Sequence, residues 1–131
     1  MFRDLRGAAG FISVERGLML FMISIAVTFL TAKVVVWPTA LFLGLLVFCL
    51  WSAVDAMNNL CDVNLDVLSD PLRAEFTKRL GKAGVLVTFI FTGLSLALGA
   101  ATMMPLVFLV VALGIFFWGS LFCASFPAQE N

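Results

Sequence analysis

The chain has 131 residues, of which 63% are hydrophobic and 12% charged, with eight basic and eight acidic side chains. A soluble domain carries about a quarter charged residues, so this composition excludes an ordinary water-soluble domain and favours a lipid bilayer. The zero net charge argues against nucleic-acid binding, which needs a basic excess. The absence of histidine excludes His-based catalytic triads and His metal sites.

The uncharged segments predict four membrane helices, each needing about 20 apolar residues to cross the hydrocarbon. The last uncharged segment, residues 83–129, has 47 residues and would make about 70 Å of helix, which is too long for one crossing. It should break at residues 99–105, where Gly, Thr and Pro interrupt it. We therefore expect an all-α, polytopic membrane bundle that forms one domain over residues 1–131, with a cytoplasmic loop at about 68–80 and helices at about 12–32, 37–67, 81–100 and 104–124.

The basic residues predict the orientation of the bundle. Lys33 is alone on one side, and the other seven lie on the opposite side if the helices alternate: Arg3, Arg6, Arg16, Arg73, Lys78, Arg79 and Lys82. The positive-inside rule then places both termini and the polar segment at residues 55–82 in the cytoplasm. A cleaved signal peptide is the less consistent alternative, because Asp4 and Glu15 interrupt the basic segment.

Cysteines and polar side chains differ in their spacing. The three cysteines, Cys49, Cys61 and Cys123, are far apart without a C-x-x-C pair, which predicts small buried hydrophobic residues rather than a zinc site or a disulfide.

Polar residues recur every three or four positions along the end of the second predicted helix: Asp55, Asn58, Asn59, Asp62 and Asp66. We call these five residues the polar stripe.

The polar stripe should present one face of a helix, since Asp55, Asn59, Asp62 and Asp66 fall within about 60° of one another and Asn58 lies at the edge. Each carboxylate in a membrane costs about 2.5–3.5 kcal/mol, and like charges four residues apart repel. A bound cation would compensate both effects. Carboxylate oxygens without His or Cys suit Mg²⁺, which binds through one or two carboxylates plus substrate phosphates. The alternative is the solvated end of a membrane helix.

The motif Asn58-x-x-x-Asp62-x-x-x-Asp66 resembles the first aspartate-rich motif of the UbiA superfamily of intramembrane prenyltransferases. The family pattern is N-D-x-x-D-x-x-x-D, with Asn59 here replacing its first Asp. Three further segments resemble family features: Arg16 at the start of the first helix, the Pro- and Arg-containing segment at residues 69–73 with Lys78-Arg79, and Ser125-Phe126-Pro127 at the end of the fourth helix.

This resemblance implies Mg²⁺-dependent transfer of a prenyl group from an isoprenyl diphosphate to an aromatic or lipid acceptor. It implies Asp62 and Asp66 as metal ligands, assigns no catalytic residue to this chain, and implies diphosphate contacts from Asn58, Arg16, Arg73, Lys78 and Arg79. The family's second aspartate motif lies on a later helix, whereas Glu130 is the only acid here after Glu75. We therefore expect half of the family's bundle: either a second chain or a C-terminal half completes the enzyme, or the chain is inactive.

Two other functions fit parts of the pattern. A CDP-alcohol phosphatidyltransferase also carries an aspartate-rich membrane helix, but Asn58 stands where that class has Gly, and no acid lies between Glu15 and Asp55. A non-enzymatic four-helix protein could use the polar stripe as a cation-binding face. No charge in the third or fourth predicted helix continues such a path. The loop arginines and lysines are also what positive-inside topology requires.

Overall fold

The computed structural model describes residues 2–34 and 36–125, with the side chains of all of these except Leu65 and residues 122–125. Within these residues the chain is helical and has no strand, and its helices are α1 (Phe2–Phe11), α2 (Val14–Thr31), α3 (Trp37–Cys61), α4 (Val63–Ser69), α5 (Pro71–Leu80), α6 (Lys82–Ala101) and α7 (Pro105–Ser125). Three of them, α2, α3 and α6, are long and apolar enough to cross a membrane, and residues Pro105–Leu121 of α7 form a shorter apolar segment. The described part of the chain is therefore all-helical, with three helices suited to spanning a membrane.

Local sequence signals set several helix ends. Pro38 and Pro71 lie in the first turns of α3 and α5, where the missing N–H of proline costs no helical hydrogen bond. Asp70 caps α5, since its carboxylate accepts a hydrogen bond from the backbone N–H of Arg73 at 3.1 Å. Met103 has a positive φ of 55° in the turn between α6 and α7, which confirms the predicted break before Pro105.

Helix α3 is the centre of the bundle and packs against α2 on one side and α6 on the other. Small residues allow this close approach. A Cβ at Gly44 would lie 2.7 Å from the Phe21 ring of α2, and a Cβ at Gly84 of α6 would lie 2.9 Å from Leu60. Because these helices meet over glycine, bulky side chains of the neighbour fill the space that a Cβ would occupy.

Helices α1 and α5 lie together at one end of the bundle. Arg3 and Glu75 form an ion pair at 2.5 Å, and Arg79 and Asp4 form another at 3.0 Å. The Phe76 ring occupies the space beside Gly7. The two basic segments of the sequence are therefore in contact.

The structure differs from the sequence predictions in three places. The predicted loop at 68–80 is wrong over residues 71–80, which form α5 because Asp70 caps a segment that starts with Pro71. The predicted second helix is divided at Asp62, which has φ −94° and ψ 10° between α3 and α4. The N-terminal residues form α1, which the sequence analysis did not predict. Cys49 is buried, as predicted, whereas Cys61 is half-buried; the side chain of Cys123 is outside the described residues.

Candidate functional site at the polar end of the bundle

The five residues of the polar stripe do not share one environment. Asp55 and Asn59 are buried, with 7% and 5% of their surfaces exposed. Asp62 is exposed, while Asn58 and Asp66 are half-buried. The stripe therefore consists of a buried part inside the bundle and an accessible part at its polar end, because α1 and the start of α2 cover only its first two turns.

The buried part contacts the turn between α1 and α2, residues 11–14, which we call the elbow. Asn59 donates a hydrogen bond from Nδ2 to the backbone oxygen of Phe11 at 2.8 Å and lies 3.4 Å from Asp55 Oδ2. Ser13 donates its hydroxyl hydrogen to the same Asp55 oxygen. Ser13 has φ 48° and ψ 54°, the left-handed conformation that ends α1. Asp55 and Asn59 thus hold the elbow against α3.

The accessible part is tied to α5 by an ion pair. Arg73 Nη2 lies 2.9 Å from Asp66 Oδ1, with the two side chains 22% and 14% exposed. The Nε atom of Arg73 is buried and has no hydrogen-bond partner. Because a guanidinium has five N–H donors in a planar fork, Arg73 keeps donors for another acceptor while it holds Asp66.

Arg73 lines a cavity of about 310 Å³ between α1, the elbow and α5, which we call the polar cavity. Arg6 and Arg16 line it too, together with the carboxylates of Glu15 and Asp70. Three arginines against two carboxylates leave one net positive charge on the lining. A guanidinium binds phosphate or carboxylate through paired hydrogen bonds, so this cavity is suited to a small multivalent anion.

The structure brings only some of the predicted diphosphate residues to the polar cavity. Arg16 and Arg73 line it, whereas Asn58, Lys78 and Arg79 do not. Lys78 is exposed. Arg79 is paired with Asp4, and its guanidinium carbon lies 5.9 Å from the centroid of the Phe76 ring.

A second cavity, of about 650 Å³, is apolar and lies between α3, α6 and α7. Its α3 lining includes Ala53 and Met57, which are two residues away from Asp55 and Asn59 and hence about 160° around the helix. This apolar cavity and the elbow are therefore on opposite faces of α3.

The accessible part of the polar stripe offers few side chains that could bind a metal ion. Among the described residues, no group of three or more His, Cys, Asp or Glu side chains is close enough to hold a metal ion. Asp62 and Asp66 remain two oxygen-donor side chains at the polar end. Mg²⁺ in proteins commonly uses one or two carboxylates and completes its shell with substrate phosphates and water.

Three contributors to this end of the molecule were not predicted from the sequence: Arg6 in the polar cavity, and Phe11 and Ser13 in the elbow. Arg6 could have been found from the amphipathic spacing of the first ten residues. The contact of Phe11 with Asn59 is made through a backbone oxygen, so no side-chain pattern reports it. Phe126 and Pro127, included in the predicted family segment, are outside the described residues.

No protein-family model, no curated protein and no solved structure matches the chain.

Proposed function

We propose that the chain is the diphosphate-binding half of a UbiA-type prenyltransferase, which transfers a prenyl group from an isoprenyl diphosphate to an aromatic or lipid acceptor in a Mg²⁺-dependent reaction. Arg73 carries this proposal. It lies in the polar cavity, pairs with Asp66, and has a buried Nε without a partner. A cation suited to phosphate and a carboxylate suited to a metal are therefore adjacent.

In this proposal the three arginines of the polar cavity, Arg6, Arg16 and Arg73, bind the diphosphate oxygens. Asn58, half-buried one turn before Asp62, supports the same group with its carboxamide. Lys78 and Arg79 are at the same end of the molecule and add positive potential over a longer distance. Preorganised donors of this kind stabilise the negative charge that grows on a departing diphosphate.

Asp62 and Asp66 would hold Mg²⁺, which supplies charge neutralisation of the diphosphate leaving group when bound. The protein's own contribution is to keep Asp66 near the arginines, which the Arg73–Asp66 contact does. A ligand at Asp66 has to displace that guanidinium. The aliphatic part of Arg73 passes close to Gly10, where an added Cβ would lie 3.9 Å from it.

The prenyl tail has an apolar path that begins beside the polar cavity. Leu18 and Met22 of α2 are 52% and 62% exposed, and they share a helix face with Glu15, which lines the polar cavity. A tail bound along this face lies against lipid or against the second chain or C-terminal half that completes the enzyme. We further propose four membrane crossings, with α7 as the fourth, and both termini and the Asp62–Asp66 pair in the cytoplasm, as the positive-inside rule indicates.

Binding of geranylgeranyl diphosphate to the purified chain in detergent, with and without Mg²⁺, tests the proposal. Arg73→Ala removes a charge-assisted contact worth about 1.5–3 kcal/mol, so the affinity should fall by about 10- to 150-fold. Asp66→Asn should weaken the Mg²⁺ dependence without abolishing the binding of the anion. Lys33→Ala is the matched control, because Lys33 is exposed and lies at the other end of α2.

Two ligand controls separate the parts of the substrate. Geranylgeraniol has the tail without the diphosphate and should bind without Mg²⁺ dependence, while inorganic diphosphate should compete for the polar cavity. The prenyltransferase proposal fails if geranylgeranyl diphosphate does not bind in either condition. It also fails if Arg73→Ala and Lys33→Ala have the same affinity, because the polar cavity then has no role in binding.

A further inference from the structure

Asp55 is a buried carboxylate without a basic partner. Only 7% of its surface is exposed, and none of the ion pairs among the described residues includes it. Its two described hydrogen bonds come from neutral donors, Ser13 and Asn59. A carboxylate removed from water in this way is costly unless a positive charge compensates it, and a bound cation would supply that charge.

Ser52 provides a second, independent observation on the same helix. It is completely buried, with 0% exposure, and its hydroxyl has no hydrogen-bond partner. Other helical hydroxyls of the chain, such as those of Thr92 and Ser95, donate to the backbone oxygen four residues earlier. Ser52 lies three residues before Asp55 and seven before Asn59, on the same face of α3, so its free oxygen belongs to the face that carries the carboxylate.

The elbow adds oxygen ligands of the right kind. Phe11 is the last residue of α1, and its backbone oxygen is at the negative end of that helix, which favours a cation. The helix is interrupted at Ser13 and resumes as α2. Interrupted helices whose terminal carbonyls bind Na⁺ are a known arrangement in membrane proteins.

The oxygens retain the lone pairs that a cation needs. Ser13 uses its hydrogen on Asp55 and keeps two lone pairs, while the Phe11 oxygen accepts one hydrogen bond from Asn59 and keeps the other. Asp55 has about four lone-pair sites and two described donors. Only one of the four groups is charged, and no nitrogen or sulfur ligand is among them, so the set matches a small, hard monovalent ion rather than a divalent one.

We propose that Ser13, Ser52, Asp55 and the backbone oxygen of Phe11 form a Na⁺ site that fastens the elbow to α3. Asn59 is a positioning residue, since it holds the Phe11 oxygen and approaches Asp55 without contributing charge. The site is separate from the Asp62–Asp66 pair and does not depend on the prenyltransferase proposal. Ser13 also lines the polar cavity, so an ion here fixes one wall of that cavity.

Thermal unfolding of the full chain in detergent, followed by the fluorescence of its tryptophans, tests this site. NaCl is compared with choline chloride at constant ionic strength. Tenfold excess of Na⁺ over its Kd should raise the Tm by about 3–6 °C. Ser52→Ala should weaken the Na⁺ affinity by about tenfold or more, whereas Ser95→Ala should not, because Ser95 is equally buried but donates to Phe91.

Asp55→Asn should abolish the Na⁺ dependence of the Tm. Should this variant fail to fold, ²³Na NMR line broadening with the unmodified chain and with Ser52→Ala measures the same site directly. A Tm that does not respond to Na⁺, together with an unchanged Tm in Asp55→Asn, would overturn the proposal. Stabilisation by MgCl₂ but not by NaCl, or equal effects of Ser52→Ala and Ser95→Ala, would also overturn it.

Discussion

Neighbouring asparagines with different environments allow a sharp test of the elbow. Asn59 is 5% exposed and donates a hydrogen bond to the Phe11 oxygen, while Asn58 is half-buried and has no side-chain hydrogen bond among the described residues. We predict that Asn59→Ala lowers the free energy of unfolding and that Asn58→Ala has little effect. Both substitutions remove the same atoms from adjacent positions of one helix. The effects of helix propensity and side-chain size are therefore the same in both variants and cancel when their stabilities are compared.

The size of the effect follows from two distances. The contact of Asn59 with Asp55 is 3.4 Å long, beyond the usual range of about 2.7–3.2 Å for an N–H···O bond, so it contributes little. The 2.8 Å bond to Phe11 is normal, and its loss leaves a buried backbone oxygen unsatisfied at a cost of about 1–3 kcal/mol. Hydrogen bonds between membrane helices average only about 0.6 kcal/mol and reach about 1.7. We therefore expect about 1–2 kcal/mol.

Reversible unfolding in mixed micelles measures this loss, and hydrogen exchange locates it. In Asn59→Ala the backbone amides at the end of α1 should exchange faster by about 5- to 30-fold, because the bond from Asn59 to the Phe11 oxygen fastens that end of α1 to α3. The amides of α6 should change much less. Equal destabilisation by Asn58→Ala, or unchanged exchange in α1, would refute the inference that Asn59 holds the elbow.

Two further predictions concern packing and topology. Gly44→Val should destabilise the bundle by about 1–3 kcal/mol, because its new Cβ would lie 2.7 Å from the Phe21 ring. Gly93→Val should cost much less, because the space beside Gly93 is open. Equal Tm values of the two variants would contradict this prediction. Topology is tested in a chain without native cysteines that carries either Met103→Cys or Lys78→Cys, both at exposed positions. The two new thiols should react with a membrane-impermeant maleimide from opposite sides of the membrane. Labelling of both from one side would disprove the proposed topology.

Hydropathy was sufficient to predict the long helices but not the short ones. The uncharged segments correspond closely to α2, α6 and α7, and the predicted interruption before Pro105 is confirmed. Helices α1 and α5 have ten residues each and are mixed in polarity. Neither contains an apolar run long enough to cross a membrane, so hydropathy does not predict them. The Asp70-Pro71 start of α5 was a usable signal, but the basic residues that follow it suggested a loop.

Helical periodicity predicted which residues of the polar stripe share a face but not what covers that face. Whether a carboxylate meets water or a backbone oxygen depends on a neighbour that is distant in the chain, and Ser13 is 42 residues away from Asp55. The division at Asp62 also shortens the face, since α4 no longer continues α3 with the same geometry. The sequence could thus group the residues of the polar stripe on one helix face, whereas the separation of that face into a buried and an accessible part could not be predicted.

The ion pair between Arg73 and Asp66 has a thermodynamic consequence. While the two side chains neutralise each other, an incoming cation must compete with Arg73 and an incoming anion must compete with Asp66. A cation that binds Asp66 releases Arg73 and so raises the affinity for an anion. Because such coupling is reciprocal, a bound anion raises the affinity for the cation by the same factor. The pair therefore makes this end of the molecule discriminate against either ion alone and favours a ligand that brings both charges together.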